Sequence, residues 1–152
     1  MIILTGAAGF IGSHVAQRLA GAGERLILVD HPQHFRDRGY FGPEAVTLDH
    51  WAREKFPEER HKVVDRAYFL RVLSKLRPSA PASDPTAKEH VLLPPGEKIT
   101  CVIHLGACTN TAETRKDFLQ EWNVDYSRTI WNWCTEHGVP YIYASSGATY
   151  GG

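Results

Sequence analysis

Short apolar runs alternate along this chain with longer stretches in which apolar residues recur at helical spacing. Ile2, Ile3 and Leu4 lie in a run over residues 1–5 that reads as a strand. Residues 10–22 follow as a helix with Phe10, Ile11, Val15 and Leu19 on one face, stopped by Gly21 and Gly23. Leu26 to Val29 make a second strand, closed by Asp30. Residues 31–45, punctuated by Pro32, Gly39, Gly42 and Pro43, read as loop. Two short runs, Val46 to Leu48 and Val63 with Val64, compete for a third strand, and the pattern does not choose between them. Residues 66–76 read as a helix with Phe69, Leu70, Leu73 and Leu76 on one face. The stretch 78–98, with Pro78, Pro81, Pro85, Pro94 and Pro95, reads as an exposed excursion. Thr100 to Leu105 is the next strand, and residues 114–136 form a long helix carrying Phe118, Leu119, Trp122, Tyr126, Ile130 and Trp133. Gly138 and Pro140 end that helix, and Tyr141 to Ala144 read as a last buried strand. Strands alternating with helices predict an α/β fold, a doubly wound parallel sheet covered on both faces.

Composition narrows the class. The chain has 152 residues, enough for one domain with a real core. Its 17 basic and 17 acidic side chains balance, which argues against nucleic acid or an anionic membrane as partner. The apolar runs are strand-sized, too short to cross a bilayer. Met1 leads straight into a core strand with no charged n-region, so no signal peptide is expected and a cytoplasmic location is. Cys101, Cys108 and Cys134 lack C-x-x-C spacing and read as reduced thiols filling small core positions.

The chemistry concentrates at strand ends. Gly6, Gly9 and Gly12 stand in G-x-x-G-x-x-G spacing between the first strand and its helix, the pattern of a dinucleotide-binding turn. Gly6 permits the tight turn, Gly9 lets a pyrophosphate approach the backbone, and Gly12 lets helix and strand pack closely. Asp30, eighteen residues beyond Gly12, is placed to accept hydrogen bonds from adenosine ribose hydroxyls. Arg36 and Arg38 follow, and a guanidinium there suits a 2′-phosphate, so NAD against NADP stays open. His104 reads as a core histidine. His31 and His34 find no third ligand at zinc spacing. The small residues Gly106, Ala107 and Cys108 let backbone pass beneath a cofactor, and the segment 144–152 lies where such sheets bind ligands.

TGAAGFIGSH (5–14), Asp30, HLGACT (104–109), Asn123, Tyr126-Ser127 and YASSGATYGG (143–152) together resemble the extended short-chain dehydrogenase/reductases, the NAD-dependent epimerase/dehydratase family. The narrower pattern, GAC after a strand and YASS-x-ATYGG, is similar to that of the ADP-L-glycero-D-manno-heptose 6-epimerases. The resemblance covers both ends of the chain and not residues 31–98. It implies that Gly6, Gly9, Phe10, Ile11, Gly12, Asp30, His31, Arg38, Arg66, Leu105, Gly106, Ala107, Cys108 and Asn123 contact NADP or NAD. It implies also that Ser146 hydrogen-bonds the reacting oxygen of a nucleotide-sugar. The implied reaction oxidises heptose carbon 6 and returns the hydride to the opposite face, a step of lipopolysaccharide biosynthesis.

The chain departs from the family pattern in several places. No Y-x-x-x-K follows Ser146, Leu105 stands where the heptose epimerases have Glu, and His31 where they have Asn. Lys62 occupies the place of an acid near the adenine amine, and Arg66 matches a family lysine near the cofactor. The expectation is therefore an NAD(P)-binding domain over residues 1–152, the N-terminal half of an epimerase without its substrate domain, that binds dinucleotide weakly and does not turn over. Another nucleotide-sugar 4-epimerase or 4,6-dehydratase, and a non-catalytic dinucleotide-binding module, are the alternatives. Trp122, Trp131 and Trp133 on one helix suggest a homo-oligomer contact.

Overall fold

Five strands run parallel in the order β3-β2-β1-β4-β5. The computed structural model describes residues 1–37, 61–80 and 92–146. In chain order the elements are β1 (Ile2–Thr5), α1 (Phe10–Gly21), β2 (Leu26–Asp30), α2 (Pro32–Asp37), β3 (Lys62–Asp65) and α3 (Arg66–Leu73). They continue as β4 (Cys101–His104), α4 (Lys116–Leu119), a π-helical turn (Gln120–Asp125), α5 (Tyr126–His137) and β5 (Tyr141–Tyr143). The architecture is the α/β, Rossmann-type sheet that the alternation of patterns predicts.

β1 and β2 are buried at every position, which is why they read as continuous apolar runs. Side chains alternate across the pleat. Ile3, Ile27, Val29 and Val102 pack with Phe69, Leu73, Ile130 and Trp133 on one face. Leu4, Leu26 and Leu28 pack with Ala7, Ala8 and Ala16 on the other.

The register sets the functional end of the sheet. Thr5 pairs with Val29 and with His104, Asp30 with Asp65, and His104 with Tyr143. All strands point the same way, so Asp30, Asp65, His104 and the Gly6 turn emerge at one edge. β2 lies on one side of β1 and β4 on the other, and the crevice between their carboxyl ends is where ligands enter such sheets.

Several expectations need correction. Residues 32–37 form a short helix rather than loop. β3 is built on Val63 and Val64; Val46 to Leu48 lie outside the described residues. On α1 the buried residues are Gly12, Ser13 and Ala16, while Phe10 and Ile11 are 68% and 61% exposed. Small residues win that face because they let the helix lie close to the sheet. The proline-rich excursion is anchored rather than free. Leu92 and Leu93 are buried in the core, Ile99 donates its N–H to the Pro78 carbonyl (2.7 Å), and Ser79 bridges to Lys98. Arg25 pairs with Glu97 at its base.

The long helix is interrupted by its π turn, and its tryptophans disperse. Trp133 is buried and donates its indole N–H to the Leu76 carbonyl (2.9 Å). Trp122 lies against Arg66, and Trp131 is half exposed against Tyr141. Among the described residues β5 lies at the edge of the sheet, with Ile142 and Tyr143 exposed where a buried strand was expected. No helix among the described residues is long and apolar enough to cross a membrane.

Candidate functional site

The turn from β1 into α1 is closed by backbone. Gly6 takes φ +69°, and the Gly9 N–H donates to the Gly6 carbonyl (2.9 Å). A Cβ on Gly6 would lie 2.7 Å from the Leu105 carbonyl, and one on Gly12 would lie 2.0 Å from the Gly6 oxygen. Both positions exclude any side chain because backbone already fills the space. Gly9 differs: its Cβ would meet only the Gly6 oxygen, at 3.1 Å. Its other side is open, a cradle that a side chain would fill.

α1 begins at Gly9 with no side-chain cap and no acid in its first turn. Helix starts carry orphan N–H groups and partial positive charge. An uncapped start beside an open glycine fits a pyrophosphate, which would take both.

Asp30 borders this turn on the β2 side. Its carboxylate is 6% exposed and accepts from the N–H of Ala8 (2.9 Å), the N–H of His31 (2.7 Å) and the His34 ring (2.7 Å). Burial, and then the Arg66 charge, hold the His31 imidazole below its ordinary pKa. Arg66 opens α3 directly after Asp65, whose Oδ1 caps that helix by accepting from the Tyr68 N–H (2.9 Å).

On the β4 side a chain of hydrogen bonds organises the loop 105–108. The Gly106 N–H donates to Thr5 Oγ1 (3.2 Å), and Thr5 Oγ1 lies 2.7 Å from His104 Nδ1. His104 Nε2 lies 2.9 Å from Ser127 Oγ, whose hydroxyl donates to the Asn123 carbonyl (3.0 Å). Because the Ser127 proton is committed to that carbonyl, Ser127 accepts from Nε2–H, and Nδ1 accepts from Thr5. His104 is thus neutral and of one tautomer, and burial pushes its pKa down to about 4. Asn123 then grips Cys108, accepting from its N–H (2.7 Å) and donating to its carbonyl (3.1 Å).

Gly106 is needed for packing as much as for approach, since a Cβ there would lie 3.1 Å from Thr5 Oγ1 and 3.2 Å from Tyr126 Cε1. Tyr126 is buried, and burial together with the Asp30 charge raises its pKa. Trp122 and Asn123 both sit in the π turn, a feature that recurs at functional sites.

The turn after β1 (Gly6, Gly9, Gly12), the ends of β2 and β3 (Asp30, His31, Arg66) and the loop after β4 (Leu105, Gly106, Cys108, held by Asn123) therefore all lie toward the carboxyl edge of the sheet. Phe10, Ile11 and Ala107 lie exposed along its segments. Ser146 lies on the exposed segment that continues from β5, where the Ala144 N–H still donates to the His104 carbonyl (3.2 Å). Arg38 and residues 147–152 lie outside the described residues. Thr5 and Ser127 stand in motifs that carry the resemblance, and Trp122 in the aromatic set of the long helix, but their contacts with His104, Gly106 and Arg66 were not read from sequence. Those partners lie far off in the chain.

The model of the family described as "NAD dependent epimerase/dehydratase family" matches residues 2–152. The ADP-L-glycero-D-manno-heptose-6-epimerase of Fusobacterium nucleatum subsp. nucleatum is 33% identical over 151 residues, covering 99% of this chain and 36% of that protein. The solved ADP-L-glycero-D-manno-heptose-6-epimerase of Helicobacter pylori superposes with a TM-score of 0.60 at 18% identity, over 99% of this chain and 38% of that one. The structure of MoeE5 in complex with UDP-glucose and NAD has the same TM-score, 0.60, at 23% identity, over 99% of this chain and 38% of that one. This chain thus spans little more than a third of the length of these relatives.

Proposed function

This chain belongs to the NAD dependent epimerase/dehydratase family, and we propose from that premise that it forms the dinucleotide-binding portion of a cytoplasmic nucleotide-sugar epimerase using NADP or NAD. The observation that carries the reading is the uncapped start of α1 beside the open face of Gly9, bordered by the buried carboxylate of Asp30. Backbone N–H groups there suit a pyrophosphate, and the carboxylate suits ribose hydroxyls. In this reading Gly6, Gly9, Phe10, Ile11 and Gly12 form the phosphate side. Asp30, His31, Arg38 and Arg66 take the adenosine side. Leu105, Gly106, Ala107 and Cys108, held by Asn123, form the wall across the crevice.

The finer reading is epimerisation of ADP-L-glycero-D-manno-heptose at carbon 6, supported by the relative 33% identical across nearly the whole chain. When bound, the dinucleotide supplies a reversible hydride acceptor, so one stereocentre is inverted with no net use of cofactor. Ser146 holds the reacting oxygen through its hydroxyl. Removing the proton from the substrate hydroxyl needs a base, which the family resemblance supplies as a tyrosine followed four residues later by lysine. In this reading these 152 residues supply the cofactor-binding part of the reaction.

Calorimetric titration with NADP⁺ and with NAD⁺ tests the reading. Saturable binding of either one, weakened at least about tenfold by Asp30→Ala, supports it. Binding of neither rejects it.

A further inference from the structure

The loop 106–108 is held at two points, and one buried imidazole joins them. At its start the Gly106 N–H donates to Thr5 Oγ1, and at its end Asn123 holds both backbone groups of Cys108. Between these points the hydrogen bonds run in a single sense. Thr5 donates to His104 Nδ1 (2.7 Å), Nε2–H donates to Ser127 Oγ (2.9 Å), and Ser127 donates to the Asn123 carbonyl (3.0 Å). The circuit leaves the loop at Gly106 and returns to it at Cys108.

His104 sets the direction of that circuit. An amide N–H only donates and a carbonyl only accepts, so every group between Gly106 and Asn123 must accept on one side and donate on the other. A neutral imidazole protonated on Nε2 does this. The opposite tautomer would aim a second N–H at Thr5 Oγ1 and draw the Ser127 proton away from Asn123. Bonds in such a series strengthen one another, so losing one weakens the rest. The ring itself is packed in place: it is buried, Tyr126 meets it edge-on at 5.1 Å, and Tyr141 stacks on it at 5.9 Å. The Tyr126 hydroxyl bears on the same Thr5 side chain.

The sheet order says which part of a ligand feels this. The end of β2, with Asp30, takes adenosine in the reading above. β4 lies on the other side of β1, so the loop after it faces the half of a dinucleotide beyond the pyrophosphate. We propose that His104 is a positioning residue that couples Thr5 to Ser127, locks both ends of the loop 106–108 as one unit, and so sets the affinity for that far half. The proposal rests on the dinucleotide-binding reading and deepens it.

Calorimetry with 5′-ADP and with NAD⁺ and NADP⁺ reads the effect. ADP probes the adenosine and pyrophosphate positions alone, so the affinity of the tighter dinucleotide divided by that of ADP reports the far half. The wild-type ratio is expected to be about tenfold or more. Ser127→Ala, which reaches the loop only through His104 and Asn123, lowers it about threefold or more while ADP affinity shifts by less than about twofold. Thr5→Val lowers it likewise, and Thr5→Ser, which keeps the hydroxyl, restores it. In Thr5→Val/Ser127→Ala the loss falls at least about threefold short of the product of the single losses, because the two residues act through one ring. Nitrogen-15 spectra of the imidazole place the proton on Nε2 in the wild type. A general loosening would weaken ADP and dinucleotide together and leave the ratio alone.

A wild-type ratio near one, a ratio untouched by Ser127→Ala, losses that simply multiply, or a proton found on Nδ1 overturns the proposal and leaves nucleotide binding intact. Should the double variant not fold, the ratio in Ser127→Ala and the site of the imidazole proton decide. Binding of none of the three ligands by the wild type removes the dinucleotide reading itself, and this inference with it.

Discussion

Both polar atoms of the Asn123 side chain close on the backbone of one residue, Cys108, accepting from its N–H at 2.7 Å and donating to its carbonyl at 3.1 Å. The pair locks the loop after β4 to the π turn, so the wall of the crevice is set by a side chain 15 residues away. Asn123→Ala leaves both groups of Cys108 without partners. We expect a loss of about 1–3 kcal/mol in urea unfolding and dinucleotide affinity lower by about tenfold. An unchanged Kd would mean that the loop holds its shape unaided.

The glycines of the first turn separate folding from binding. Gly12→Ala places a Cβ 2.0 Å from backbone oxygen that cannot retreat, and should cost at least about 3 kcal/mol or abolish folding. Gly9→Ala meets only one atom, at 3.1 Å, in a conformation that alanine adopts freely. Its Tm should stay within a few degrees of wild type while dinucleotide binding falls sharply. Thermal unfolding and calorimetry on the two variants make the comparison. Equal effects on both readouts would deny Gly9 its role as a cradle.

His104 makes stability depend on pH. Burial holds its pKa near 4, below the 6.5 of an exposed histidine. The unfolded chain therefore takes up the proton first as pH falls, so the native state is favoured fully above pH 6.5 and loses that advantage down to about pH 4. The size is up to about 3 kcal/mol. In His104→Gln, denaturant midpoints should fall less steeply between pH 6.5 and 4.5. Parallel slopes in the two proteins would show that carboxylates carry the whole effect.

Trp133→Phe tests the long-range tie between α5 and the end of α3. It removes the indole N–H from the Leu76 carbonyl and leaves a small void in a residue now 4% exposed. About 2–3 kcal/mol should be lost in urea unfolding, with dinucleotide affinity unchanged in the protein that remains folded.

What was legible in the sequence was local. The Gly6–Gly9–Gly12 turn declares itself because each glycine answers a steric demand of backbone within a few residues. Asp30 declares itself because a strand must end where its apolar run ends. The 78–98 stretch misled, since five prolines argue for exposure while the burial of Leu92 and Leu93 depends on a sheet formed by distant residues. β5 misled for the converse reason. Tyr141 to Tyr143 are apolar enough for a core, yet among the described residues their strand pairs with β4 alone.

The sequence by itself determined the class of the fold, the order of its elements and the turn that faces phosphate, because periodicity and steric exclusion act over neighbouring residues. Tertiary structure alone decided that β3 joins β2 and that His104 is a neutral relay between Thr5 and Ser127. It alone decided that Arg66 rests on Trp122. Each of those facts pairs groups brought together only by the parallel register of the sheet, and no local pattern encodes which distant partner a side chain will meet.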